Sequence, residues 1–188
     1  VPDMPLHLST QANTLNSEAA LFWYEKGVKR IILARELSIK QIKAMRQRLP
    51  EDLELEMFVH GAMCVSYSGR CLLSNYINGR DSNRGECAQP CRWQYELREK
   101  GPNGEYFTIE QDERGSFIMN SRDMRLIEYI PEIVDAGIMS LKIEGRMKSI
   151  AYVATVVNAY RMAIDEYKHS IDEGREYKAP ASVMRELE

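Results

Sequence analysis

Four cysteines, Cys64, Cys71, Cys87 and Cys91, are all the thiols of this 188-residue chain. They fall in one stretch, GAMCVSYSGRCLLSNYINGRDSNRGECAQPCRW, with the spacing C-x6-C-x15-C-x3-C. Soft thiolates gathered so closely can close a shell around a soft metal centre. Four arrangements compete for them, of which one, unrelated buried thiols, is disfavoured by the clustering. An iron–sulfur centre suits four thiolates held in one loop-rich segment. Structural zinc usually shows tight C-x2-4-C pairs, and only the second pair here has that form. Disulfides belong to secreted chains, and the opening residues VPDMPLHLST do not read as a secretory signal. Cys64 and His60 also lie close enough in sequence to form a nucleophile and its base, but a cluster of four thiols is better explained as a ligand set. His60 is then a base, or a donor behind the ligands.

A second group of residues is cationic. Parallel α/β folds place their sites at the carboxyl ends of strands, and those ends supply Arg35, Arg122, Lys142, Arg146 and Lys148. Such a set suits an anionic substrate. The run SLKIEGRMKS brings Lys142 and Arg146 near a helix N-terminus, and Glu144 between them is a candidate acid or base. The plainer reading is a set of ion pairs, for instance Glu144 with Arg122. From Lys26 to Arg48 there are eight basic residues against one acidic, and from Glu99 to Asp135 nine acidic against four basic. Within the basic run Lys29, Arg30, Lys40 and Lys43 are candidates for a phosphate backbone; the alternative is a solvated helix face. His7 reads as a packed strand residue and His169 as part of an exposed tail. No G-x-S-x-G elbow and no H-E-x-x-H helix occurs in the sequence.

The elements that must position these residues follow from periodicity. Short apolar runs at 6–9, 28–34, 53–59, 116–120 and 138–143 predict strands. Between them, helices are predicted from Asn16 or Ser17 to Lys26, from Ser38 to Leu49, from Ser121 to Gly137 with Leu126, Ile127, Ile130, Ile133 and Val134 inward, and over 147–168. Pro131 is expected to kink the third of these. Residues 94–115 read as a β-hairpin around the turn Gly101–Gly104. Strand starts recur roughly every 24 residues, the repeat of a (β/α)8 barrel, except where the cysteine segment intervenes.

The predicted class is therefore α/β: consecutive βα units of a TIM-type (β/α)8 barrel, C-terminal portion only, with a cysteine-rich insertion. An open five-stranded doubly wound sheet is the alternative. The expected organisation is βα units over 1–59, the insertion over 60–115, further βα units over 116–170 and a polar linker or tail over 171–188. The chain begins with Val, and its first strand starts within six residues of that end, so about three N-terminal βα units are expected to be missing. Unpaired sheet edges would then favour self-association. Hydrophobic residues at 44% and charged residues at 28% describe a globular core with a polar surface, and the net charge of −3 carries no global signal for nucleic acid. No apolar run has the length of a membrane span.

The stretches EMFVHGAMCVSYSGRCLLSNY and INGRDSNRGECAQPCRW, together with LHLSTQANTLN and SLKIEGRMKS, resemble the collagenase-like peptidase family U-32. Within it they are similar to the branch of tRNA 5-hydroxyuridine-forming proteins, which act in wobble-uridine hydroxylation. The resemblance runs to about His169. It implies a barrel with a further C-terminal domain, a [4Fe–4S] cluster on Cys64, Cys71, Cys87 and Cys91, and prephenate, a small dianion, as the source of the hydroxyl group. It also implies tRNA as partner and a cytoplasmic setting. The expected function is tRNA 5-hydroxyuridine formation. A U-32 peptidase is one alternative, although no protease machinery stands out. A zinc-stapled RNA- or protein-binding module is the other.

Overall fold

The computed structural model describes residues 3–93, 95–98, 106–108 and 123–187. In chain order the strands are β1 (Leu6–Leu8), β2 (Val28–Ile32), β3 (Glu54–Ala62), β4 (Glu96–Arg98), β5 (Tyr106–Thr108), β6 (Asp123–Arg125) and β7 (Ser140–Glu144). The helices are α1 (Ser17–Glu25), α2 (Ile39–Arg46), α3 (Leu73–Asn78), α4 (Ile130–Asp135), α5 (Ile150–Asp172) and α6 (Ala181–Glu186). β1 pairs with β2, β2 with β3 and β3 with β7, all parallel. The molecule is thus a mixed α/β structure whose main sheet is open among the described residues.

Local chemistry fixes the helices that cross between these strands. The Asn16 side chain accepts from Ala19 N at the start of α1, and Ser38 closes a reciprocal capping box with Gln41 at the start of α2. Ser149 caps α5 by accepting from Tyr152 N. The helices cover one face of the sheet. Leu55, Met57 and Val59 alternate along β3 into that face and meet Ile31, Leu33, Ile42, Ile127, Ile130, Ile133 and Val156 in one buried cluster. Tyr160 of α5 pins the sheet as well as packing on it: its hydroxyl donates to Val59 O at 2.6 Å and accepts from Leu126 N at 3.0 Å.

The alternate positions of β3, Glu54, Glu56 and Phe58, carry a polar set on the opposite side. Arg30 pairs with Glu54 at 2.6 Å and with Glu56 at 3.5 Å; Ser140 donates to Glu56 at 2.9 Å, and Lys142 pairs with it at 3.5 Å. A nearly buried carboxylate is tolerated there because it has three partners. Phe58 lies between two cations, with Arg35 5.8 Å and Lys142 5.4 Å from its ring centroid.

Several sequence expectations are corrected. β6 lies where the start of a helix was expected, and it runs antiparallel to the end of β3, pairing His60 with Arg125 and Ala62 with Asp123. The helix that follows is a 3-10 turn over Ile127–Tyr129 continued by the six residues of α4. Pro131 sits in the first turn of α4, where no backbone N–H is needed, so it starts the helix instead of kinking it. Val134 is 47% exposed instead of inward. Residues 171–188 were expected to be a polar linker. Instead α5 extends to Asp172, and α6 buries Val183 completely in the main core. The expected hairpin is present, with β4 and β5 antiparallel and Leu97 opposite Phe107. Its turn, and the strand expected at 116–120, lie outside the described residues.

Candidate functional site

A cavity of about 270 Å³ opens at the carboxyl ends of the parallel strands. The end of β1 contributes Ser9, Thr10 and Gln11, the end of β2 Arg35, and β7 and the turn after it Glu144 and Arg146. β3 runs directly into the cysteine segment, which forms the remaining wall and brings all four cysteines to the lining. Two glycines set how closely that segment packs. Gly61 has φ +99°, and a Cβ there would lie 2.1 Å from Glu144 O; Gly69 has φ +74°, and its Cβ would lie 2.0 Å from Gln11 O. Side chains complete the attachment. Thr10 Oγ1 donates to Leu33 O at 3.0 Å, Gln11 Nε2 to Ser82 O at 2.7 Å, and Ser82 Oγ to Cys71 O at 2.8 Å. The Glu36 carboxylate accepts from Ser68 N at 2.7 Å and from Ser68 Oγ at 3.0 Å.

All four thiols are free; Cys71 and Cys91 are buried and Cys64 and Cys87 half-buried. Gln89 N donates to Cys87 Sγ at 3.3 Å. The backbone amides of Ser66, of Leu73 and Ser74, and of Val65 pull the thiols of Cys64, Cys71 and Cys91 respectively toward ionisation. In three cases the donor is two residues downstream of the cysteine, the turn geometry by which a short loop offers its amide to its own side chain. Burial pushes the Cys64 thiol up, against the pull of the Ser66 N–H and the Arg35 charge. Burial also pushes Cys91 up, helped by the nearby Cys64 and Cys87. At Cys71 burial acts the same way, but donors from Leu73, Ser66, Ser82 and Ser74 outweigh it and leave the thiol below its ordinary value.

N–H donors aimed at sulfur favour the thiolate, the form that binds metal. Four thiolates around one zinc ion at ~2.3 Å would all touch a single point. No group of three or more His, Cys, Asp or Glu among the described residues closes on one ion in that way. The cysteines instead stand around the wall of a cavity. Four thiols on one cavity wall are the donor type that soft metal centres, iron–sulfur clusters among them, take.

Of the cations expected at strand ends, Arg35, Lys142 and Arg146 line the cavity, as does Glu144. Glu144 Oε1 accepts from Arg146 N at 3.0 Å and from Gln89 Nε2 at 3.5 Å. Gln89 holds a left-handed conformation at φ +57° immediately before Pro90. Lys148 is not in the lining; its ammonium pairs with Asp123 at 2.8 Å and lies 4.9 Å from the Tyr152 ring centroid. Arg122 lies outside the described residues. His60 is buried and set against Tyr160, ring centroids 5.5 Å apart, with Nδ1 unpartnered, and it is not part of the lining. Burial is the main force holding its pKa below the ordinary value.

The basic run is largely occupied locally. Lys29 lies 3.9 Å from Asp52, Arg30 pairs with Glu54, Lys43 with Asp135, and Arg48 with Glu18 at 2.9 Å, while Lys40 is exposed. None of Lys29, Arg30, Lys40 and Lys43 reaches the cavity. Gln11 and Asp123 were expected at strand ends; sequence reasoning missed Arg92 and Gln89. Arg92 lines the cavity and pairs with Asp123 at 2.7 Å. The one available signal was its position next to Cys91.

Four thiols and three cations thus share one cavity at the strand ends of an open α/β sheet. The sequence profile of Peptidase family U32 matches residues 1–188, and the chain belongs to that family. It is 52% identical to the tRNA hydroxylation protein P1 of Bacillus subtilis (strain 168) over 88% of its own length and 39% of the relative's. It is 38% identical to the 23S rRNA 5-hydroxycytidine C2501 synthase of Escherichia coli (strain K12), over 88% of this chain and 24% of that protein. It is 37% identical to a collagenase of Porphyromonas gingivalis (strain ATCC BAA-308 / W83), over 86% of this chain and 40% of that one. The chain thus spans less than half the length of these curated relatives. No solved structure matches it. Among the described residues no helix is long and apolar enough to cross a membrane.

Proposed function

We propose that this chain is the thiolate-bearing part of an RNA base hydroxylase that forms 5-hydroxyuridine at a tRNA wobble position. Relatives named for hydroxylation of tRNA and of 23S rRNA support the reaction class. The observation that carries the reading is the joint lining of one cavity by Cys64, Cys71, Cys87 and Cys91 and by Arg35, Lys142 and Arg146. In this reading the four cysteines hold a [4Fe–4S] cluster, and prephenate binds beside it as a small dianion. In the same reading the parallel strands β1, β2, β3 and β7 are successive units of a TIM-type barrel, and the setting is cytoplasmic.

Replacing C–H by C–OH is a two-electron oxidation of the base, so an oxygen donor must accept two electrons. A bound cluster supplies redox or Lewis-acid chemistry at iron. The protein's own residues do the rest. Arg35, Lys142 and Arg146 offer charge-assisted hydrogen bonds to carboxylates. Glu144 orients the turn that carries Arg146 by accepting its backbone N–H. The amides on each sulfur tune the thiolates.

The family's collagenase-named member favours a second reading, a peptidase. Against it stands the placement of His60, which is buried away from the cavity that Cys64 lines, so the one nucleophile–base pair legible in sequence is not assembled. One variant separates the readings. With Cys64→Ser in the full-length protein, nucleoside mass spectrometry of cellular tRNA should lose 5-hydroxyuridine derivatives. Unchanged wobble modification, with no second enzyme compensating, would overturn the hydroxylase. Loss of collagen cleavage with normal tRNA would establish the peptidase. Anaerobic purification with iron and sulfide analysis tests the cluster; zinc without labile sulfide would refute it.

A further inference from the structure

We propose that the mouth of the cysteine cavity is the RNA-docking rim, with Tyr67 as the stacking platform for a single-stranded base and Arg70 and Arg84 on the flanking phosphates. This rests on the RNA-hydroxylase reading and names the surface by which that site takes its substrate. Tyr67 lines the cavity yet is 67% exposed, which puts it at the opening with most of its side chain open to a partner. It is rigidly placed. Arg70 N donates to Tyr67 O at 3.0 Å, closing a turn whose Ser68 is buried on Glu36 and whose Gly69 is pressed against Gln11 O.

The arginines flank lining residues. Arg70 lies between Gly69 and Cys71, and Arg84 between Asn83 and Gly85, all four of which face the cavity. Arg70 donates to its neighbour Gly69 O at 3.4 Å. The Arg84 side chain is 83% exposed and reaches Asp81 at 3.6 Å. Both guanidiniums are exposed, and the pairing of Arg84 with Asp81 is weakly held at the surface, so an anion can compete for them. On the basic run, by contrast, Arg30 and Lys43 are paired with carboxylates, and Arg46 donates to the carbonyls of Leu49, Pro50 and Leu53.

An exposed aromatic in the cavity lining, with exposed arginines adjoining other lining residues, fits a nucleic acid strand. Stacking on a ring needs a base already out of its helix, and phosphates follow on either side of it. A loop nucleotide satisfies both requirements, while a duplex hides its base faces. A base stacked on Tyr67 would also be held over the opening of the cavity that carries the cysteines and the inner cations, as chemistry on that base requires.

The test is binding of a fluorescently labelled RNA hairpin with an anticodon-sized loop to the full-length protein by anisotropy, across a salt series. Tyr67→Ala should weaken binding roughly 5- to 100-fold at every salt concentration, and Tyr67→Phe should restore it. The double variant Arg70→Ala/Arg84→Ala should reduce the slope of log K against log salt by about 1.4, from two lost phosphate contacts on a single strand. Circular dichroism and iron content, unchanged, show that the variants fold and load. If these variants bind as the parent does while Lys40→Ala loses affinity, the rim assignment falls and the RNA-hydroxylase reading stands. If the parent protein binds no RNA, both fall. If Tyr67→Ala changes only the oligomeric state seen by light scattering, the rim is a protein contact and the proposal is overturned.

Discussion

Arg92 Nη1 donates to Asp123 Oδ1 at 2.7 Å, joining the cysteine segment to the antiparallel strand β6. The same carboxylate accepts from Tyr152 Oη at 2.8 Å and pairs with Lys148 at 2.8 Å, both from the start of the α5 region. One acidic side chain thus ties three parts of the chain that are distant in sequence. Arg92 and Asp123 are only 15% and 22% exposed, so their attraction is weakly screened.

Removing this carboxylate should loosen the insertion. Asp123→Ala leaves Arg92 and Lys148 without their shared partner and should cost about 1–3 kcal/mol in urea unfolding. The pH dependence has a definite sign. Burial raises the Asp123 pKa, but hydrogen bonds from Lys148 and Tyr152 and the charges of Lys148 and Arg92 outweigh it and hold the carboxyl below the ordinary value. The stabilisation is therefore complete above the ordinary carboxylate range and lost as pH falls through the lowered folded value. A pH series of midpoints should show this acid-side loss in the parent and not in Asp123→Ala.

Gly61 should tolerate no side chain. Gly61→Ala must accommodate a Cβ 2.1 Å from Glu144 O at φ +99°, and should destabilise by at least about 1–3 kcal/mol. Because the contact joins β3 to β7 beside Cys64, iron content should fall with thermal stability. A variant with parental melting temperature would show that the two strands separate freely.

His60 is expected to act in packing, not in proton transfer. His60→Phe should keep tRNA hydroxylation in cells, because the ring is buried against Tyr160 away from the cavity. Total loss of modification with intact folding would return His60 to the chemistry. Burial lowers the folded pKa of His60, so the parent should lose stability as pH drops below about 6.5, where the unfolded chain takes up a proton more readily. His60→Phe should flatten that limb.

Arg146 should act on the anion. Arg146→Ala is expected to weaken use of prephenate by about 1–3 kcal/mol, read as a raised KM, the worth of one charge-assisted hydrogen bond. An unchanged KM would move the anion to the Arg35 side of the cavity.

The thiol set and the parallel core were legible in the sequence because each is written in a local pattern. Four cysteines in one segment announce a shared site before any fold is known. The runs around Leu8, Ile31 and Leu55, separated by the capped helices α1 and α2, dictate parallel strands because each crossover helix must bury its apolar face on the sheet. Other features depended on partners far away in the chain. Nothing in DMR announces a strand at Asp123–Arg125; β6 exists because the end of β3 offers its backbone there. The end of the chain looked polar, yet Val183 is buried with Tyr177, Met184 and Leu187 packed beside it, because α5 supplies a surface for the short helix. Composition showed a basic run, but only tertiary structure paired Arg30 with Glu54 and Lys43 with Asp135 while bringing the chain neighbours of Arg70 and Arg84 into the cavity lining. Charge is a property of residues, whereas its availability to a ligand is decided by which opposite charge the fold brings within reach.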